Sequence, residues 1–157
     1  MEYSVLIAGF GGQGVMSIGK MLCYGADENG KKATFFPTYG GEQRGGTANC
    51  TVVLDEHPVG SPLVNTPRSI IVLNEPSLAK FQPRLHPDGV QIVNASLISE
   101  GLLDGKHRTV YIPVNDIAHE LGNMPVSEYM QRTILTVPPD APLQRLMKII
   151  VGAHQRL

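Results

Sequence analysis

The sequence predicts an α/β protein, a single doubly wound, mostly parallel sheet with helices on both faces. Three observations predict it. An apolar opening run, Tyr3-Ser-Val-Leu-Ile-Ala8, delivers a glycine turn, Gly9-Phe-Gly-Gly-Gln-Gly14, to a stretch of helical periodicity. Short runs rich in β-branched residues then alternate with helix-like segments along the chain. One of these runs, Ser69-Ile-Ile-Val-Leu73, is apolar throughout, as expected of a strand buried on both faces at the centre of a parallel sheet.

Taken in order, the elements follow from local chemistry. Val15, Ile18, Met21, Leu22 and Gly25 recur at helical spacing, which predicts an amphipathic helix over 13–29, ended by Asn29-Gly30 and packed on the sheet. A second strand covers about 32–37, and Cys50-Thr-Val-Val-Leu54 is a third, closed by the turn Asp55-Glu56-His57-Pro58. Pro76 opens the next helix, whose inner face is Leu78, Ala79 and Phe81 and whose end is the break at Pro83. Pro87-Asp-Gly89 turns into the strand Val90-Gln-Ile-Val93. Thr109-Val-Tyr-Ile112 is a further strand, followed by Asn115 or Asp116 as cap of a short helix, Ile117-Ala-His-Glu-Leu121, ended by Gly122. Leu143, Leu146, Met147, Ile150 and Val151 mark one face of a C-terminal helix. The whole chain, 1–157, is expected to form one Rossmann-like domain.

Composition narrows the partners. Thirteen Lys+Arg against fourteen Asp+Glu leave a net charge of −1 without a basic cluster, so nothing points to nucleic acid or an anionic membrane surface. No apolar stretch approaches the roughly 18 residues that span a bilayer, and no basic leader precedes Tyr3, so a cytoplasmic location is expected. The two cysteines, Cys23 and Cys50, make neither a Cys-x-x-Cys pair nor part of a metal quartet, and are expected to be small apolar residues. The five histidines show no ligand spacing, so no metal site is expected in this chain.

Chemistry concentrates in two loops expected at the carboxyl ends of the strands, where such sheets meet ligands and partners. Gly11, Gly12, Gln13 and Gly14 would present free backbone N–H groups at the positive end of a helix, a place for phosphate or pyrophosphate. An NAD or FAD site would also need an acid at the end of the second strand, roughly 20 residues on. Ala33-Thr-Phe-Phe36 instead runs into Pro37, Thr38 and Tyr39, and Asp27 and Glu28 fall near the helix end. A phosphate-bearing ligand and a purely structural turn therefore stay open. The second loop, Pro37-Thr-Tyr-Gly-Gly-Glu-Gln-Arg-Gly-Gly46 with Thr47-Ala-Asn49, is a costly connection, because glycine loses the most backbone entropy on ordering. Glu42 and Arg44 form a surface ion pair in one reading, while in the other Arg44 offers a planar donor fork to a phosphate, a carboxylate or a partner chain.

Together, Gly9-Phe-Gly-Gly-Gln-Gly-Val15 and Pro37-Thr-Tyr-Gly-Gly-Glu-Gln-Arg-Gly-Gly-Thr-Ala-Asn-Cys50 resemble the gamma subunit, or gamma domain, of the 2-oxoacid:ferredoxin (acceptor) oxidoreductases. Val59-Gly-Ser-Pro62 and Leu73-Asn-Glu-Pro-Ser-Leu-Ala-Lys-Phe81 extend the resemblance, which covers about residues 3–123. It implies a complex that oxidatively decarboxylates a 2-oxoacid, passes the acyl group to coenzyme A and sends electrons through iron–sulfur clusters to ferredoxin. Thiamine diphosphate with Mg2+ and the clusters would sit on other chains: alpha and beta subunits and a ferredoxin-like delta subunit. This chain would be non-catalytic, with Gly11, Gly12, Gln13, Gly14 and Arg44 toward cofactor. Thr38, Tyr39, Gly40, Glu42, Gly45, Gly46 and Thr47 would face the partner or the active site. The motifs look most like the 2-oxoglutarate and branched-chain subgroup, with 2-oxoglutarate favoured and pyruvate still open.

The chain departs from the pattern at Gly41 and Gln43, where Pro and Met are frequent, and after Asn123, where Met124-Pro-Val-Ser leads elsewhere. A lost helix or an omitted segment is expected there. Two rivals remain: a stand-alone nucleotide or coenzyme A binding module, and an autonomous NAD-dependent enzyme, disfavoured by the missing acid. An isolated obligate subunit is expected to expose apolar surface and to dimerise or precipitate.

Overall fold

The computed structural model describes residues 2–39 and 47–122. The chain divides into two compact units, Met1–Val114 and Asn115–Leu157. The first holds a six-stranded sheet in the order β2-β3-β1-β4-β5-β6, built from β1 (Tyr3–Phe10), β2 (Lys32–Tyr39), β3 (Thr47–Asp55), β4 (Ser69–Val72), β5 (Val90–Asn94) and β6 (Arg108–Ile112). Its helices are α1 (Val15–Glu28) and α2 (Glu75–Phe81). A further helix, α3 (Val114–Gly122), begins at the last residue of this unit. The face of a C-terminal helix expected from Leu143 to Val151 lies outside the described residues.

β1, β4, β5 and β6 pair in parallel, and the apolar run from Ser69 lies between β1 and β5 as its composition requires. The other half of the sheet is antiparallel. β3 returns between β1 and β2 and pairs with both, from Tyr3↔Leu54 to Phe10↔Thr47 on one side and from Lys32↔Asp55 to Tyr39↔Ala48 on the other. The sheet is therefore mixed, and β2 and β3 form a hairpin whose connection is 40–46. This pairing also lengthens both strands beyond their expected ends. Thr47, Ala48 and Asn49 belong to β3, not to the loop, and β2 runs through Pro37 to Tyr39. Proline fits there because β2 is an edge strand.

Alternation of side chains puts the helices of this unit on opposite faces. Gly19 of α1 lies against Cys50 and Phe35, and Cys50 shares its face with its register partner Ile7. The neighbouring residues Leu6 and Ala8 point the other way, into a core with Ile70, Val72, Leu78, Phe81, Leu85, Val93 and Ile98. The seam of α1 corrects the sequence expectation. Val15, Gly19 and Ala26 are buried while Met21 is 69 % exposed, because the helix sits closest where its residues are smallest. A Cβ at Gly19 would lie 2.7 Å from Cys50 Sγ and from Phe35 Cε2.

Two further boundaries differ. In α2 the buried residues are Ser77, Leu78 and Phe81, whereas Ala79 is exposed, and the helix continues past Pro83 as a 3-10 turn, Gln82–Arg84. Proline is tolerated because it stands in the first positions of that turn, where no helical donor is needed. α3 starts at Val114, so Asn115 and Asp116 lie in its first turn and neither is the cap. The Val114 N–H donates instead to Asn94 Oδ1 at 3.1 Å.

Candidate functional site

Register decides where the strand ends that flank the two glycine-rich segments lie. Phe10 pairs with Thr47 and Tyr39 with Ala48, so β1 and β2 end and β3 begins side by side at one edge of the sheet. β4 and β5 end at the same edge, with Leu73-Asn74 and Asn94. In the turn, Gly12 (φ 88°) and Gly14 (φ 81°) occupy the left-handed region that side chains rarely adopt. A Cβ on Gly9 would come within 2.8 Å of Gln13 Oε1 and 3.1 Å of Leu73 Cβ, so the turn folds back tightly over β4.

Gly14 stands at the N-cap of α1 and its carbonyl accepts from Ile18 N at 2.9 Å. No side chain caps this end and no acid lies in the first turn. The first N–H groups of α1 thus remain open to an external acceptor, at the positive end of the helix dipole. Gly11 and Gly12 are exposed, with nothing within 4 Å of the space a Cβ would take.

The Gln13 side chain is engaged within the chain itself. Its Oε1 accepts from Phe10 N at 2.7 Å and from Asn74 Nδ2 at 2.9 Å, and its Nε2 donates to the Leu73 carbonyl at 3.4 Å. Asn74 Oδ1 in turn caps α2 by accepting from Ser77 N at 2.9 Å, and Asn94 Nδ2 donates to the same Leu73 carbonyl at 3.2 Å. This amide relay ties the glycine turn to the ends of β4 and β5. Sequence reasoning passed over Asn74 and Asn94, although an Asn just ahead of Glu-Pro-Ser is a helix-start signal.

Thr38 is exposed on β2, and Tyr39 is the last residue of that strand. Thr47 opens β3, where its Oγ1 lies 3.4 Å from Lys80 Nζ. Lys80 is a third residue the sequence reading left aside, and it is the cation that α2 contributes beside β3. Gly40, Glu42, Arg44, Gly45 and Gly46 lie outside the described residues. Below the edge, Cys50 is fully buried and its Sγ contacts the Val15 carbonyl at 3.4 Å. Burial pushes this thiol up to about 11, and Cys23 adds to the effect. Among the described residues no three His, Cys, Asp or Glu side chains gather as a metal site, and no helix is long and apolar enough to cross a membrane.

The family model described as pyruvate ferredoxin/flavodoxin oxidoreductase matches residues 4–136. The chain belongs to this family. The family-level resemblance carried by the two glycine-rich loops is thereby borne out. Among relatives in the oxidoreductase family, the ketoisovalerate oxidoreductase subunit VorA of Methanothermobacter thermautotrophicus is 40 % identical over 121 residues, 77 % of this chain and 25 % of VorA. The 2-oxoglutarate synthase subunit KorC of Methanocaldococcus jannaschii is 30 % identical over 128 residues, 80 % of this chain and 68 % of KorC. A keto/oxoacid ferredoxin oxidoreductase gamma subunit from Geobacter sulfurreducens shares the fold with a TM-score of 0.64 at 24 % identity, over 76 % of this chain and 67 % of that one. This chain spans about a quarter of the length of VorA.

Proposed function

We propose that this chain is the gamma-type subunit of a complex that oxidatively decarboxylates a 2-oxoacid to an acyl-coenzyme A and passes the electrons to ferredoxin. The observation that supports the reading is the register, which brings Phe10, Tyr39 and Thr47, the residues flanking the two motifs of the family resemblance, to one edge of the sheet. Thiamine diphosphate, Mg2+ and the iron–sulfur clusters are assigned to partner chains, the alpha, beta and delta subunits. The edge carrying Gly11 to Gly14 faces the thiamine-binding chains and the path of coenzyme A.

The residues present suit part of coenzyme A. An uncapped helix N-terminus without a first-turn acid, preceded by glycines with open space above them, accepts a phosphate through backbone N–H groups. Coenzyme A, when bound, supplies the thiol that receives the acyl group. This chain's part is to orient it: Gly12 and Gly14 let the backbone approach, Gln13 holds the turn in place, and Arg44 adds a donor fork. For the substrate, 40 % identity with a ketoisovalerate subunit against 30 % with a 2-oxoglutarate one supports a branched-chain 2-oxoacid ahead of 2-oxoglutarate.

Anaerobic affinity capture of this chain from its own cell extract tests the proposal. Recovery of larger subunits with bound thiamine diphosphate and 2-oxoacid- and coenzyme A-dependent reduction of a viologen dye is the expected result, with rates on ketoisovalerate, 2-oxoglutarate and pyruvate ranking the substrates. In that complex Arg44→Ala is expected to raise KM for coenzyme A. Capture of the chain alone, without thiamine diphosphate or activity, would favour a stand-alone phosphate-ligand module instead.

A further inference from the structure

The corner between α2 and β3 gathers polar side chains whose hydrogen-bonding capacity is not used inside the fold. Asn49 is only 8 % exposed, yet its amide bonds to no described residue. Ser77 is fully buried and its Oγ has no partner. Lys80 pairs with no carboxylate among the described residues; its Nζ has the long contact to Thr47 Oγ1 and lies 5.4 Å from the Phe81 ring centroid. Thr34 Oγ1, on β2, is also unpartnered.

Alternation shows that these groups share one face. Cys50 meets α1 at Gly19, so Thr47 and Asn49 project from the opposite side of β3, the side of α2. The Lys80 contact lays that flank of α2 over β3, and Ser77 occupies the same flank one turn earlier. Side chains on a helix lean toward its N-terminus, so Lys80 reaches back past Ser77 to Thr47. The floor of the corner is Ala8, which pairs with Asn49 and packs in the core with Leu78 and Phe81.

We propose that this corner binds an oxyanion, a carboxylate or a phosphate, through the Lys80 ammonium, the Asn49 amide and the hydroxyls of Thr47 and Ser77. A buried polar group without a partner is rare in a native protein and calls for a missing acceptor or donor. Here the set combines one cation with three groups able to donate, and no acid stands among them, which selects an anion. The inference rests on the reading of this edge as ligand-facing. It adds to that reading a side-chain site on the α2 face, apart from the glycine turn. The shared chemistry has two sources in the proposed reaction: the carboxylate of the 2-oxoacid and a phosphate of coenzyme A.

The test uses the full chain, labelled with 15N and titrated at constant ionic strength with inorganic phosphate and, separately, with acetate. Saturable shifts of the Asn49 side-chain amide and the Thr47 N–H are expected; phosphate alone would name the coenzyme source and acetate the oxoacid source. Lys80→Gln is expected to weaken binding about tenfold, the size of one charge-assisted hydrogen bond, and Lys80→Arg to retain most of it. Ser77→Ala removes a hydroxyl that the fold does not use, so it is expected to keep or raise Tm while weakening binding. Shifts that do not saturate, or that are unchanged in Lys80→Gln, would overturn the site. A chain that captures thiamine-binding partners yet shows no saturable shift would end this inference and leave the subunit reading standing. A chain that binds the anion but captures no partner would do the reverse.

Discussion

The two halves of the sheet are held together by different means. On the parallel side, β4 and β5 are buried runs under α2, and their ends are closed by side-chain amides from Asn74 and Asn94. On the antiparallel side, β2 and β3 are covered by α1, whose Gly19 lies against Phe35 and Cys50, and the glycine turn after β1 stands at the same edge as their ends. The difference separates two tasks. In the proposed reading, the packed parallel half fixes the position of the edge, and the glycine turn after β1 supplies the exposed backbone that a ligand or partner approaches.

The largest test of this contrast removes a ring. Phe81→Ala empties the centre of the parallel half, where the side chain is 2 % exposed, and is expected to cost about 3–5 kcal/mol in chemical denaturation. Phe35→Ala, half-buried under α1, should cost less; an equal loss would break the comparison. Next in size is the amide closure. Asn74→Ala removes the α2 cap and one donor to Gln13, an expected loss of about 1–2 kcal/mol, and a double-mutant cycle with Gln13→Ala should give a non-zero coupling. Additive losses would show that the relay is not a unit.

Smaller effects sharpen the antiparallel side. Gly19→Ala gains about 1 kcal/mol of helix propensity but drives a Cβ into Cys50 and Phe35, for a net loss of about 1 kcal/mol. Gly25→Ala on the same helix meets nothing within 4 Å and is expected to stabilise by about 0.5–1 kcal/mol. Opposite signs in thermal melts would confirm that α1 packs closely on the sheet at Gly19 and leaves room at Gly25. The last test is protonic. Because burial raises Cys50 from 9.0 to about 11, its stabilising share is complete below pH 9 and is lost as pH rises through about 11. Alkylation of the native chain at pH 8 should label Cys23 first and reach Cys50 only on unfolding.

The parallel half was legible because its signals are local. The apolar run Ser69–Val72 could only be a buried strand, and Pro76 marked a helix start whatever the surroundings. The antiparallel half was not legible in its topology. Periodicity reports that a segment is a strand but not which neighbour it joins, so the return of β3 between β1 and β2 left no trace in the residues. The ends of both hairpin strands were missed for the same reason: Thr47 and Tyr39 are extended because Phe10 and Ala48 stand opposite them. At the candidate site, the glycine turn was visible as composition. The amide relay was not, since it joins residues that only the fold brings together.

The hairpin also sets an order of assembly. Tyr39 and Ala48 meet across a short connection, so β2 and β3 can zip as soon as both have been synthesised. Val5 meets Ser69 only after much more of the chain has left the ribosome, which makes the parallel pairing of β1 with β4 the slower event. During translation β1 is therefore annealed on one side first and waits with its other edge unpaired, and a pause before Ser69 would lengthen the time that edge is open to the wrong neighbour.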